Sequence, residues 1–331
     1  MNRKLVRSIV GKSLIAAGVV LAALSGGAFA QAFPAEGKPI RIIVPTAPSG
    51  GNDVMARIVA QKLGERMKRT VIVENKAGAN GAIASEYVAR AAPDGYTILF
   101  GYIATHGINP ALSKLPYDAV KDFAPISLLS EAQGVLVVNP KVQAKTVKEL
   151  VSLAKARPGA INYASAGNGT APHISAELFK QITGTDMLHV PYKGSAPAVT
   201  DTIAGQTQVM FPSLVAASQH IKAGQLRGLA VTGKTRSALF PDLPTVIEAG
   251  VPGFEVTQWY ALFAPAKTPK AIVDRLNAEV IAVMKDPDTI KRFAEQGAEP
   301  ETSTPEALGK YVEAEIAKWR KVIQTAKITA D

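Results

Sequence analysis

The chain has 331 residues, no cysteine and four histidines, with 47% hydrophobic and 19% charged residues and a formal net charge of +10. These counts exclude a disulfide scaffold and a cysteine-based zinc or iron–sulfur site, and they leave enough apolar material for two ordinary domains. Cations are interleaved with acids rather than clustered, which argues against a nucleic-acid surface and suits weak attraction of small anions.

The first 30 residues read as a secretory signal peptide. Arg3, Lys4, Arg7 and Lys12 form a basic region, Leu14 to Leu24 an apolar core, and Ala28-Phe29-Ala30 a small-residue cleavage pattern. The apolar core is too short to span a bilayer as an anchor. Cleavage near Ala30 removes four cations and no acid, leaving a soluble chain of 301 residues with a charge of +6.

Strand-like and helix-like patterns then alternate, the order expected of an α/β fold with largely parallel sheets. IRIIV (Ile40 to Val44) is a continuous apolar run, as in a strand covered on both faces. TAPSGGND follows, then a helix with Met55, Ile58, Val59, Leu63 and Met67 on one stripe. VIVEN, the helix GAIASEYVARAA and the strand YTILFGY complete a first unit. A second series follows: VLVVNP, helix TVKELVSLAKA, strand INYAS, helix ISAELFKQITG, strand MLHVPY, helix APAVTDTIAG, and strands TQVMFPS and LRGLAVTG. A Pro/Gly-rich connector and the strand TQWYALFAPA lead to C-terminal helices, the last with Leu308, Tyr311, Val312, Ile316, Trp319 and Ile323 as an apolar stripe.

Those last helices need a sheet to cover, so the expected organisation returns to the first unit. Residues 31–134 and 261–331 make one lobe and 135–260 the other, with SLLSEAQGVLVVNP and TQWYALFAPA as two extended hinge crossings. Two independent domains joined once are the alternative.

The functional signal is a strand, a glycine-rich turn and a helix start that occur in both units. In TAPSGGND, Gly50 and Gly51 let the backbone approach a ligand, Ser49 or Asn52 can cap the helix, and Asp53 complements its dipole. Asp53 would repel an anion, so its expected task is to hold the loop; contact with a ligand amino group is the minor reading. In SAGNGTAPH, Gly167 and Gly169 are permissive, Ser165 offers a hydroxyl and Thr170 is the expected N-cap, with His173 packing beside the helix start. Each helix start leaves backbone N–H groups free for an anion. Two such starts facing one cleft would hold a small carboxylate.

Further walls are expected from Thr105 and His106 in GYIATHGINP, and from Tyr192, Lys193 and Gly194 in VPYKGSAP, since ligands of open α/β sheets sit beyond the carboxyl ends of strands. Trp259 and Tyr260 either line the cleft or pack in the hinge. No dinucleotide or Walker sequence is present, so no cofactor is expected, and no metal. Ser49 sits where a nucleophile elbow would put it, but Ala47 replaces the first glycine of that motif; a hydrolase is a distant alternative, and a sensor feeding a membrane kinase a closer one.

KPIRIIVPTAPSGGNDVMARIVAQKL, VIVENKAGANGAIASEYVARAAPDGYTILFG, INYASAGNGTAPH, HVPYKGSAPAVTDTIAGQ, LPTVIEAGVPGFE and WYALFAPAKTP together resemble the Bug receptor family, the periplasmic substrate-binding components of tripartite tricarboxylate transporters. The resemblance spans nearly all of the mature chain. It implies a two-lobed, type II-like Venus-flytrap fold, no catalysis, a location in the periplasm, a monomer, and membrane permease subunits as partners of a receptor for a small organic anion. Carried over residue by residue, it places Thr46, Ser49, Gly50, Gly51 and Asp53 in the first binding loop and Ser165, Ala166, Gly167, Gly169 and Thr170 in the second. This chain departs from the family pattern at Ser49, where a glycine is usual, at Lys76-Ala77, and at Pro212, where an aspartate is common.

Overall fold

The strands of this chain build two separate sheets, and the backbone passes from one to the other twice. The computed structural model describes residues 33–48 and 51–329. The expected signal peptide (residues 1–30), Ser49 and Gly50 lie outside the described residues. Residues 37–331 form one compact unit.

The first sheet has the order β11-β4-β10-β3-β1-β2. Its strands are β1 (Ile40–Val44), β2 (Val71–Asn75), β3 (Thr97–Tyr102), β4 (Phe123–Gln133), β10 (Thr257–Pro265) and β11 (Ala298–Pro300). β1 pairs in parallel with both β2 and β3, while β10 is antiparallel to β3 and β4. Ile40, Ile42, Ile43 and Val44 are fully buried, as expected for a strand covered on both faces, and Arg41 interrupts the apolar run with its guanidinium on Glu74 and Thr97. The second sheet, β7-β6-β8-β5-β9, comprises β5 (Val135–Val138), β6 (Asn162–Ser165), β7 (Leu188–Pro191), β8 (Val209–Met210) and β9 (Arg227–Val231). β6 is parallel to β7 and β8, whereas β5 runs antiparallel to β8 and β9. The molecule is therefore two-lobed and α/β, with mixed sheets.

The first crossing is abrupt: β4 ends at Gln133 in the first sheet and β5 begins at Val135 in the second. The second runs through residues 232–256 before β10, which pairs with the first sheet from Thr257 onward. β4 starts earlier than the expected crossing segment. It accommodates Pro125, a residue without an N–H, where the register against β10 shifts between Leu262 and Phe263.

Three C-terminal helices cover the first sheet: Lys270–Met284, Pro287–Glu295 and Pro305–Ala326. Asn277 Nδ2 donates to the Ile126 carbonyl in β4 at 2.7 Å. Glu315 is buried in the last helix because two indoles need an acceptor: Trp259 Nε1 and Trp319 Nε1 each donate to Glu315 Oε2 at 2.9 Å. Trp259 is thus a fully buried core residue. Tyr260 is buried beside Phe100, with ring centroids 5.7 Å apart.

Candidate functional site

Parallel strands end on the same edge of a sheet, so the turns after β1, β2 and β3 are neighbours. After β1 the chain turns through Pro45–Pro48, and helix α1 (Gly51–Met67) begins. Asp53, 3% exposed, ties this turn down. Its Oδ2 accepts from Arg57 Nε, and its Oδ1 from Arg57 Nη2 and Asn75 Nδ2, all at 2.9 Å. Asn75 Nδ2 also donates to the Thr46 carbonyl at 3.0 Å, so the end of β2 is stitched to the turn after β1. Thr46 Oγ1 and Asn52 Nδ2 are buried in the same segment with no hydrogen-bond partner.

The turn after β2 is strained. Gly78, Ala79, Asn80 and Gly81 all have positive φ, at 129°, 46°, 48° and 92°. The left-handed region costs a residue with a Cβ roughly 1–2 kcal/mol, so Ala79 and Asn80 stay there only because neighbours hold them. Asn109 does this: Asn80 Nδ2 donates to Asn109 Oδ1, and Asn109 Nδ2 to the Asn80 carbonyl, both at 2.9 Å. Gly81 is the point where the three turns meet. A Cβ there would lie 2.6 Å from Thr105 Cγ2 and 3.0 Å from Pro45 Cβ.

After β3 the backbone makes a π-turn over Ala104–Ile108 and a short helix, Asn109–Leu112. Thr105 is fully buried, and its hydroxyl is held inside the turn: Oγ1 accepts from the Tyr102 N–H (3.1 Å), reaches the Tyr102 carbonyl (3.0 Å) and lies 2.9 Å from His106 Nδ1. Its methyl packs toward Gly81, so Thr105 shapes the turn from inside. His106 is also fully buried, stacked on Phe263 at 3.9 Å, and burial alone pushes its pKa down to about 3.

On the second sheet, Ser165 ends β6, and α2 (Ala171–Thr183) begins after the turn. Gly167 and Gly169 have φ of 126° and 69°, so the turn requires glycine at both. Ser165 Oγ accepts the Gly167 N–H at 3.1 Å, and the Gly169 N–H donates to His173 Nδ1 at 3.0 Å. Thr170 occupies the N-cap position, but its hydroxyl turns back to donate to the Gly167 carbonyl at 2.7 Å rather than capping α2. The neighbouring turn braces this one through its backbone: Tyr192 N–H donates to the Ser165 carbonyl and Gly194 N–H to the Ala166 carbonyl. Tyr192's phenol is committed to Asp201 (2.8 Å), and Lys193 is exposed.

The two loop clusters meet. A Cβ on Gly169 would lie 2.5 Å from Leu112 Cδ2, and Leu112 belongs to the short helix whose first residue, Asn109, holds the Asn80 turn. Thr46, Gly51 and Asp53 share an edge with Thr105, and the turn of Ser165, Ala166, Gly167, Gly169 and Thr170 approaches the first lobe where Gly169 meets Leu112. Sequence reading did not single out Asn75, Asn80, Asn109 or His189. Asn80-Gly81 after a strand was the available signal for the strained turn. Two open cavities lie elsewhere, about 820 Å³ beside Arg41, Tyr87 and Asp94 and about 520 Å³ beside Glu131, Lys234 and Tyr311. The first is lined by Lys38, Arg41 and Arg90 together with Glu86 and Asp94, and the second by Glu131, Glu299 and Glu301 with Lys234.

The family described as tripartite tricarboxylate transporter family receptor matches residues 55–328. A protein from the tcbD-tcbE intergenic region of Pseudomonas sp. (strain P51) is 36% identical over 329 residues, covering 97% of this chain and 96% of that protein. BugT of Bordetella pertussis is 35% identical over 327 residues, covering 98% of each. Among solved structures, one of a periplasmic transporter has a TM-score of 0.81 and 40% identity, covering 91% of this chain and 100% of that one. Rpa4515 of R. palustris with adipate has a TM-score of 0.81 and 36% identity, covering 89% and 99%. MatC of Rhodopseudomonas palustris with bound malate has a TM-score of 0.76 and 33% identity, covering 86% and 98%.

Proposed function

The chain belongs to the tripartite tricarboxylate transporter receptor family, of the Bug type, and from that premise we propose that it captures a small carboxylate between its two loop clusters and delivers it to membrane permease subunits. The observation that supports this reading is the approach of Gly169 to Leu112, which brings the 165–170 turn of one lobe to the short helix that follows β3 in the other. The ligand loops are 45–53 with 77–81 on one side and 165–170 on the other; the lobes are 31–134 with 257–331, and 135–256, four residues short of the expected boundary because β10 joins the first sheet from Thr257. Residues 1–30 direct secretion, with cleavage near Ala30, so the mature receptor works in the periplasm without anchoring. Closure removes the carboxylate from water and strengthens its contacts with backbone N–H groups.

The ligand class is narrowed by Asp53. Its carboxylate is spent on Arg57 and Asn75, so an ammonium group at that turn finds no free partner there, while the unpartnered Thr46 Oγ1 and Asn52 Nδ2 offer hydrogen bonds to an anion. A dicarboxylate suits this better than an acidic amino acid, in keeping with the adipate and malate held by the two R. palustris relatives. A thermal-shift screen of the mature protein tests this directly. A dicarboxylate at 100 times its Kd adds about 2.7 kcal/mol, roughly 5 °C or more in Tm. Stabilisation by aspartate or glutamate above all dicarboxylates would overturn the ligand class, and no response to any carboxylate would overturn the function.

A further inference from the structure

Helix α1 opens on Gly51 and Asn52 at the edge where the turns after β1, β2 and β3 meet. Asn52 heads the core-facing stripe of that helix: Ala56, Val59 and Leu63 follow it at helical spacing, and all three are fully buried. Side chains on a helix lean toward its N-terminus, so the first member of this stripe leans past the helix end, over the turn after β1. Asn52 is 8% exposed, and its Nδ2 is buried with no hydrogen-bond partner among the described residues. Thr46 Oγ1, on the strand side of the same turn, is buried and unpartnered as well. A Cβ on Gly51 would meet nothing within 4 Å, so the helix start opens on space.

Asn52 stands inside the first turn of α1, where a capping side chain would accept rather than donate, so its amide N–H₂ does not serve the helix. A buried donor without an acceptor destabilises the protein that carries it, and a ligand that brings an acceptor recovers the loss. Arg57, one turn further along, is committed to Asp53 through both Nε and Nη2. The groups left to meet a ligand at this turn are therefore neutral. Such donors recognise an oxyanion by direction as well as by charge, and a group that can only donate, such as an ammonium, would meet Nδ2 donor to donor.

We propose that Asn52 is a specificity-determining residue of the first-lobe half of the ligand site: its Nδ2 donates to a carboxylate oxygen of the bound dicarboxylate. The inference rests on the reading of the 45–53 turn as half of that site. It assigns to Asn52 a cost to the ligand-free protein that the bound anion removes, and that linkage separates it from a residue that merely holds the loop.

Two substitutions close to asparagine in volume test this, by thermal melts of the ligand-free mature protein and by titration calorimetry with succinate, malate, glutarate and adipate. Asn52→Leu removes the donor together with the unpartnered amide. The ligand-free Tm should rise by roughly 2 °C while the Kd of the preferred dicarboxylate rises about 30-fold. Asn52→Asp keeps the shape and sets a carboxylate where the donor stood, so the Kd should rise further, about 100-fold or more. A ligand-free Tm lowered in Asn52→Leu means that the amide serves the fold, and a Kd unchanged in that variant means that the ligand does not reach it. Either result overturns the proposal, as does tighter binding by Asn52→Asp than by Asn52→Leu, and in each case binding by the wild type leaves the functional reading standing. A wild type that binds none of the four acids overturns the dicarboxylate reading and the proposal with it.

Discussion

The two glycine-rich turns look alike in sequence and are held in opposite ways. The turn after β1 is fastened by groups with fixed protonation near neutral pH: Asp53 clamped by Arg57 and Asn75, and the Asn80–Asn109 pair behind it. The turn after β6 is fastened by imidazoles, with His173 on Gly169 and His189 on Ser165. The first arrangement makes a rigid platform whose failure is a failure of folding. The second, on the functional reading proposed above, is the jaw that meets the opposite lobe at Leu112.

The largest effect that would separate the two comes from the same substitution in each. In Gly81→Val, a left-handed backbone and the close approach of Thr105 and Pro45 act within one lobe. The expected loss is about 3–5 kcal/mol of stability, roughly 10 °C in Tm by calorimetry. In Gly169→Val the clash is with Leu112 of the opposite lobe, so the lobes are kept apart and the cost appears in binding. Titration calorimetry should give a dicarboxylate Kd raised about 100-fold, equal to about 2.8 kcal/mol, with a smaller loss of Tm than in Gly81→Val, because only the backbone strain at Gly169 (φ 69°) falls within the lobe. Equal losses of stability in the two variants would erase the distinction between platform and jaw.

Acid sharpens the comparison next. His106 lies in the core of the platform lobe, and burial depresses its pKa to about 3. The unfolded chain takes up this proton near pH 6.5 while the folded chain does not, so folded stability falls as pH drops below 6.5 and continues to fall toward pH 3. Thermal melts should lose about 1.4 kcal/mol per pH unit from this group, and His106→Gln should flatten that slope between pH 6.5 and 5.5.

Asp53→Ala is expected to cost about 2 kcal/mol, because Arg57 is half-exposed and recovers some hydration, while Asn75 loses an acceptor inside the turn. Denaturant unfolding measures it. Smallest of all, Lys193→Ala should change neither stability nor adipate affinity by more than about 0.5 kcal/mol, since Lys193 is exposed on the brace beside the jaw.

Local chemistry made much of this architecture legible. The buried run at Ile40–Val44, the glycines at 167 and 169, the N-cap position of Thr170 and the loop-holding task of Asp53 all depend on neighbours within a few residues or on a repeated strand–turn–helix order. What escaped notice depends on partners far away in the chain. Asn80 is held in the left-handed region by a residue 29 positions later, and the Trp259–Glu315 bond joins residues 56 apart. The three-residue β11 is a strand only because β4 offers it an edge. Thr105 and His106 were expected as walls of the cleft, but both are fully buried, and the π-turn sets the Thr105 hydroxyl on the backbone of Tyr102. The ring stack of Tyr163, His189 and His173 joins β6, β7 and α2, and no spacing in the sequence announces it.

The central claim is that one small anion is gripped by both turns at once. Hydrogen–deuterium exchange of the mature protein, with and without the dicarboxylate that stabilises it best, tests this most directly. The account predicts that amides in 46–53 and in 165–170 gain protection together at the same ligand concentration. Protection confined to one of these segments, or appearing instead around the cavity at Glu131, Lys234 and Tyr311, would contradict it.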